Sequence, residues 1–577
     1  MMHDAFADIF QSPTALTRKN LSFCQSNSKD LNEWVLHLPI RQLGDTAKAL
    51  CSALLELSEL QCSETLRFDL VQVLHPPLEH VLKQLETHLF HQNIVNTDRN
   101  KHIIELTMLL RCYFAAIYLN IVRRSQQQLE QDTFSLFKFK RNQNLKTART
   151  IASFQALQQF SQLLYQQYML YSTSIIGQWL VIHQLYHMAI RHNYQHTHIK
   201  KIYRQNTTLN NISEAYFQLV LMHILTTNQI RLSEIQALFQ CSFDWAKTLS
   251  ISVRATDSTR YLIDLKKDLP PIHYKKQIED FNPNLFISTH RLLDHLTATS
   301  NNPADLSKNE QHYLTPALKF HVQTILSTTT ERRYQRYEYS AQLYMCFSLF
   351  TAHYYLSKKN FIETLYLDYP ISLQYYAGII TASNAPQTDT PPAIQHDHKT
   401  IYQTNILDIS LNGYRIEWNN DAPALLKTGE YILVKEASHR QWRGGVIRWL
   451  KHSQNQAIKL GLEVLAQEMY PCAVRIQTNT QTNYYCPALI VKTQNLDEIK
   501  MTLILSNSSI FQPRQSIDIR LGKQEIKLYL LNAQLMTQSF LQFEFELCYK
   551  EHAVILEQFT ASVTCNGLMK SDSEIEI

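Results

Sequence analysis

Apolar residues recur at three- and four-residue spacing through most of the first 330 positions. Behind Asp45, a predicted N-cap, Ala49, Leu50, Ala53, Leu54 and Leu57 line one stripe of a helix. In LEHVLKQLETHLF, Leu78, Val81, Leu82, Leu85 and Leu89 repeat the pattern, with Pro76 and Pro77 placed ahead of it, where a first helical turn accepts proline. Residues 101–124 carry Ile103, Leu106, Leu110, Phe114 and Ile117 on one face. FQALQQFSQLLYQQYMLY, GQWLVIHQLYHMAIRHN, SEAYFQLVLMHIL and RLSEIQALFQCSFDWAKTL continue the helical period. Their short connections predict antiparallel helical hairpins. No fixed repeat length marks them as a solenoid.

The period changes twice. ISVRATDSTRYLIDL reads as two short strands ahead of the Pro270-Pro271 break, and residues 284–327 read as helical again. From Ile401 apolar and polar positions alternate. TNILDISLNGYRIEW, EYILVKEAS, GGVIRWLKH and AIKLGLEVL predict a small antiparallel barrel or sandwich. CAVRIQT, CPALIVKT, MTLILS, SIDIRLG, IKLYLLNA and LQFEFEL predict a second β unit, followed by a frayed charged tail. Ala382–Lys399 is polar, rich in proline and without period, as an exposed loop would be. The expected architecture is α+β and multidomain. An all-α scaffold spans 20–327, with a strand-like segment near 251–266. An antiparallel β-barrel spans 328–468, with an insertion near 360–400. A further β unit spans 470–568.

Composition sharpens this. Glycine numbers only 10 in 577 residues, and all but Gly44, Gly177 and Gly378 lie beyond residue 400, where turns are needed. No G-x-G-x-x-G or G-x-x-x-x-G-K-[ST] occurs, which excludes those two phosphate-loop classes. A net charge of +5 is mild, far from the charge density of a dedicated DNA binder. The run Lys138, Lys140, Arg141, Lys146 and Arg149 is read as a solvated helix face. Ten scattered cysteines without a C-x-x-C pair point to a reducing compartment. The opening MMHDAFADIFQSP lacks a signal-peptide core and no long unbroken apolar run suggests a membrane span, so a cytoplasmic protein is expected. His183/His187 and His192/His196 have helical i, i+4 spacing, but Gln184 breaks H-E-x-x-H and no acidic third ligand lies near. No metal is expected. G-x-S-x-G is also missing, and no catalytic constellation is read.

Two short motifs carry the chemistry. Arg332 and Arg336 form R-x-x-x-R, and Asp408, Ser410 and Gly413 form D-x-S-x-x-G at a strand exit. Arginines four apart can fork onto a guanine edge or a phosphate. Asp408 and Ser410, two apart on a strand, face the same side, where a carboxylate can accept from guanine N1–H and N2–H and a hydroxyl can bond either way. Gly413 is expected to supply a turn with positive φ and a close backbone approach. Further on stand GGVIRW and KLGLEVL. Together these residues resemble the PilZ domain, the bacterial receptor module for cyclic di-GMP, over roughly 328–468. EWVLHLPI, GQWLVIHQLYHMA and YLIDLKKDLPP extend the resemblance to proteobacterial members with a long helical region ahead of the barrel. The chain departs from a compact PilZ domain in one respect: 337–407 separate the two motif halves, which implies an insertion. The resemblance implies a non-enzymatic receptor whose ligand is cyclic di-GMP, bound by Arg332, Arg336, Asp408, Ser410 and Gly413. It also implies control of type IV pilus motility or biofilm behaviour through an unknown protein target, with pilus or envelope machinery as the candidate. GGDEF and EAL, the synthase and hydrolase motifs, are missing. The alternatives are a degenerate PilZ scaffold that binds no nucleotide and, less favoured, an RNA- or DNA-binding regulator.

Overall fold

The structure is a computed structural model. It describes residues 9–10, 14–39, 42–90, 98–131, 139–203, 208–276, 278–327, 336–366, 400–410, 412–419, 421–439, 441–452, 457–466, 468–477, 483–495, 498–508 and 510–569. Arg332, the proline-rich stretch 382–399 and the charged tail lie outside these residues. The chain forms two compact units. Unit 1 spans Met1–Thr227, Leu232–Leu314 and Val322–Glu331; unit 2 spans Asn228–Arg231, Thr315–His321 and Arg332–Ile577.

The first unit contains α1 (Ser28–Leu36), α2 (Leu43–Glu59), α3 (Glu64–Phe90), α4 (Asp98–Gln131), α5 (Phe139–Met169), α6 (Gln178–Arg191), α7 (Ile199–Ile202), α8 (Ile212–Ile224) and α9 (Leu232–Trp245). The apolar stripe of α2 is buried as its spacing requires, with Leu50, Ala53, Leu54 and Leu57 in the core. Asp45 is not its N-cap. Gln42 holds that position, and Asp45 sits in the first turn, where its charge complements the helix dipole. Pro76 and Pro77 do not open a helix either; both lie inside α3. Each forfeits a backbone hydrogen bond. The helix continues through them because Leu70, Val71 and Leu74 before the pair and Leu78, Val81 and Leu82 after it are all buried. The stretch His102–Gln131 of α4 is long and apolar enough to cross a membrane by composition. In its apolar window 61% of the residues are buried inside the unit, as in a core helix. A guanidinium sits within that core. Arg111 is buried and bonds to Glu79 at 2.9 Å, Glu86 at 3.0 Å and Gln159 at 2.8 Å.

β1 (Ser250–Ser252), β2 (Thr259–Ile263), β3 (Ile272–His273) and β4 (Leu285–Ser288) form a four-stranded sheet in the order β1-β4-β2-β3. Two of the wider sequence signals meet in the segment that joins β2 to β3. Asp268 of YLIDLKKDLPP accepts from the amides of Gly177 at 2.6 Å and Leu180 at 3.1 Å, and so caps α6. His183 of GQWLVIHQLYHMA is fully buried between the Leu269 carbonyl and the Tyr216 hydroxyl, each at 2.8 Å. It is a bonded core histidine. α10 (His290–Asn301), α11 (Lys308–Tyr313) and α12 (Pro316–Ser327) follow.

The second unit begins with β5 (Tyr337–Glu338) and β6 (Gln342–Phe347), continues through α13 (Leu349–Ser357) and α14 (Phe361–Thr364), and then enters two barrels. β7 (Tyr402–Ser410), β8 (Gly413–Trp418), β9 (Tyr431–Glu436), β10 (Arg443–His452) and β11 (Ile458–Ala466) close with β6 into a six-stranded antiparallel barrel, ordered β7-β6-β9-β10-β11-β8 and back to β7. β5 and β6 both pair antiparallel with β7, Tyr337 opposite Ile409 and Gln342 opposite Asn405. The arm that carries Arg336 is therefore the leading end of the first barrel strand. β12 (Glu468–Gln477), β13 (Asn483–Asn495), β14 (Glu498–Ser506), β15 (Ser516–Leu521), β16 (Gln524–Met536) and β17 (Phe540–Leu547) form a second closed barrel. α15 (His552–Met569) ends the described chain, with Leu556 in that barrel's core. The two barrels share an apolar seam that includes Tyr431, Leu433 and Val446 of the first and Leu489, Val491, Ile504 and Phe540 of the second.

The strand signatures GGVIRW and KLGLEVL have a steric meaning. A Cβ on Gly461 would lie 1.9 Å from the indole Nε1 of Trp449, so β11 must present glycine where β10 lays its tryptophan across it.

Candidate functional site

The β7–β8 hairpin builds the site. Asp408 and Ser410 belong to the last turn of the pleat in β7, and Gly413 opens β8 opposite Ser410. The Ser410 hydroxyl donates to the Gly413 carbonyl at 3.4 Å. The expected positive φ at Gly413 does not occur; the described glycines in that region are Gly177, Gly429 and Gly522. Gly413 is required for another reason. A Cβ there would lie 2.3 Å from the backbone oxygen of Leu462 on β11, an atom that cannot rotate aside.

The arm reaches this hairpin. Glu338 pairs with Asp408, and the Arg336 guanidinium donates from Nη1 to Asp408 Oδ1 at 2.8 Å. The two motif halves, 72 positions apart, thus meet directly. Arg332 lies outside the described residues. Asp408 is only 5% exposed, and its second oxygen is 2.6 Å from Nε of Arg415, its cross-strand neighbour on β8. The contact is an ion pair, out of line for a hydrogen bond. The Arg336 and Arg415 side chains are 35% and 43% exposed. The carboxylate therefore lies beneath two guanidinia, which face solvent. It orients them, and its own remaining lone pairs are less accessible than the sequence reading supposed. Arg415 was missed by the motif reading. Its signal is register: if Ser410 pairs with Gly413, Asp408 must face Arg415.

Beside the arm, inside the barrel mouth, Glu436 gathers donors. Tyr414 donates to it at 2.6 Å, Arg443 at 2.5 Å and Tyr339 at 3.4 Å. Burial pushes the Glu436 carboxyl up, but the bonds from Tyr414 and Arg443 and the Arg443 charge outweigh it and hold the group below its ordinary range. Glu436 is thus a charged anchor that holds Tyr339, three residues after Arg336. Among the described residues no cluster of His, Cys, Asp and Glu has the makings of a metal site.

Three family models match successive stretches of the chain. They are the Cyclic-di-GMP receptor FimW N-terminal domain over 29–257, its middle PilZ domain over 261–372 and 373–471, and the FimW C-terminal β-barrel domain over 472–548. The chain belongs to this family of PilZ-containing cyclic di-GMP receptors, which are effectors and not enzymes. Among curated relatives, the Cyclic-di-GMP receptor FimW of Pseudomonas aeruginosa PAO1 is 25% identical over 571 residues, covering 92% of this chain and 92% of its own. A solved structure, K. pneumonia MrkH, matches 30% of this chain and 84% of its own at 12% identity. Its TM-score is 0.14, too low to carry any argument.

Proposed function

We propose that the chain binds cyclic di-GMP on the outside of the first barrel, at Arg336, Asp408, Ser410 and Gly413, with Arg332 supplied by the arm just ahead. The observation that carries this reading is the 2.8 Å bond from Arg336 to Asp408, which joins the two motif halves across the long intervening segment. Two exposed guanidinia over one carboxylate leave an excess positive charge, which suits a compact ligand with two phosphates. The finer reading is of a cytoplasmic regulator that passes the ligand's presence to a protein target in pilus or envelope machinery, and so acts on type IV pilus motility or biofilm behaviour. It is supported by the family resemblance alone.

Calorimetric titration with cyclic di-GMP, GMP and a short single-stranded RNA tests the binding reading. Micromolar or tighter binding of the cyclic dinucleotide alone is expected. Arg336→Ala should remove a charge-assisted contact and weaken binding roughly tenfold to a hundredfold, or about 1.5–3 kcal/mol. Arg333→Ala, out of the R-x-x-x-R register, should change it far less. Failure to bind any of the three ligands would favour a degenerate scaffold, and binding of the RNA alone a nucleic-acid regulator.

A further inference from the structure

The outer face of the β8–β11–β10 sheet carries several charges, and their pairing is uneven. Glu417 of β8 lies 4.0 Å from Lys459, and Glu463 of β11 bonds to Arg448 of β10. Each of these carboxylates has its own cation. Arg415 stands between them on β8 with Gly461 opposite it on β11, so that side offers it no acid. Its ion-pair partner among the described residues is Asp408, which Arg336 already occupies through the other oxygen. The Nη nitrogens of Arg415 make no hydrogen bond among the described residues, and the side chain is 43% exposed. Alternation on β8 explains the exposure. Tyr414 and Ile416, on either side, point into the barrel and are buried.

We propose that Arg415 is a ligand-contact residue outside both sequence signatures, and that its free Nη edge takes a phosphate of the bound dinucleotide. The inference rests on the binding site proposed above and adds a residue to it. The ion pair with Asp408 holds the guanidinium beside the hairpin without engaging its Nη nitrogens, which leaves the Nη pair to meet a phosphate through the fork that such an oxyanion accepts. A lysine at this position would keep the charge but not the fork. Asp408 then serves Arg336 and Arg415 alike, holding two cations side by side that would otherwise repel each other and splay into solvent.

Calorimetry on full-length wild type, Arg415→Ala and Arg415→Lys tests this, each titrated with cyclic di-GMP at low and high salt. Thermal melts of each variant confirm folding. Arg415→Ala should bind roughly tenfold to a hundredfold more weakly, and Arg415→Lys should recover only part of the loss. The affinity of Arg415→Ala should also fall less steeply with salt than that of wild type, because one phosphate contact is gone. The same Arg415→Ala change is made in an Asp408→Asn background. A direct contact still costs affinity there. A role exerted only through Asp408 costs nothing further, and that result would overturn the proposal. So would wild-type affinity and salt dependence in Arg415→Ala. If wild type itself binds no cyclic di-GMP, the underlying site assignment fails and this inference fails with it. Binding by wild type that is lost in Arg336→Ala but unchanged in Arg415→Ala would reject the inference alone.

Discussion

Gly413→Ala is expected to destabilise the first barrel by about 3 kcal/mol, at the upper end of the cost of overpacking. The added methyl would meet the Leu462 carbonyl oxygen at 2.3 Å, and relief requires β8 and β11 to separate. That ladder runs from Gly413–Glu463 to Trp418–Ile458, so its displacement also disturbs the register that sets Asp408 against Arg415. Binding should suffer together with stability. Gly44→Ala is the control, because a Cβ there meets nothing within 4 Å. Denaturant melts of the three proteins compare them. Equal stability of Gly413→Ala and wild type would mean that β8 does not approach β11 as described.

Acid should destabilise both compact units. His183 and His353 are almost wholly buried, and burial pulls each imidazole down to about 4. At His183 the backbone bond to Leu269 offsets only part of that effect; at His353, packed 5.0 Å from the Phe361 ring, the backbone of Cys472 likewise offsets only part. Both are neutral in the fold. In the unfolded chain they take up a proton near pH 6.5. The unfolded state therefore binds more protons between about pH 6.5 and 4, and stability rises with pH across that window. It is fully present above pH 6.5 and falls by roughly 3 kcal/mol per histidine as the pH drops to 4. Denaturant unfolding at pH 7.5, 6, 5 and 4.5 measures the slope, with the two units followed separately because they need not unfold together. His353→Leu should flatten the acid slope of the barrel unit only. An unchanged slope in that variant would show that the ring is already solvated or charged in the folded protein.

The helices and the alternating strands were legible because their apolar positions are buried where the period puts them, as in α2 and β8. The failures have local causes. Pro76 and Pro77 read as a start signal, yet buried Leu70, Val71 and Leu74 extend the same apolar face upstream, and tertiary packing overrides a weak local rule. α15 was not foreseen. Val554, Ile555, Thr560 and Val563 are β-branched and suggest a strand, but this segment covers a barrel core with Leu556, Ile555 and Phe559. α13 was hidden in a longer apolar run, AQLYMCFSLFTAHYYL, whose first half is strand and second half helix. Ser348 divides them at φ 80, and its hydroxyl oxygen accepts from the Thr351 amide at 3.2 Å, capping the helix. At the site, the motifs brought forward Arg336, Asp408, Ser410 and Gly413. Arg415 carries no motif letter and emerges only from cross-strand register, which depends on knowing that Ser410 pairs with Gly413. The burial of Asp408 under two guanidinia is a property of three strands together, and no single stretch of sequence records it.

Hydrogen exchange with and without cyclic di-GMP tests the proposed site most directly. The arm at 336–341 and the hairpin at 402–418 lie on neighbouring strands, and one ligand gripped by Arg336, Asp408 and Ser410 must slow exchange in both. Joint protection of these two segments at saturating ligand, lost from both in Arg336→Ala at the same concentration, is the result the assignment requires. Protection of the hairpin without the arm would make Arg336 a bystander, and protection confined to the helical unit or to the second barrel would contradict the site altogether.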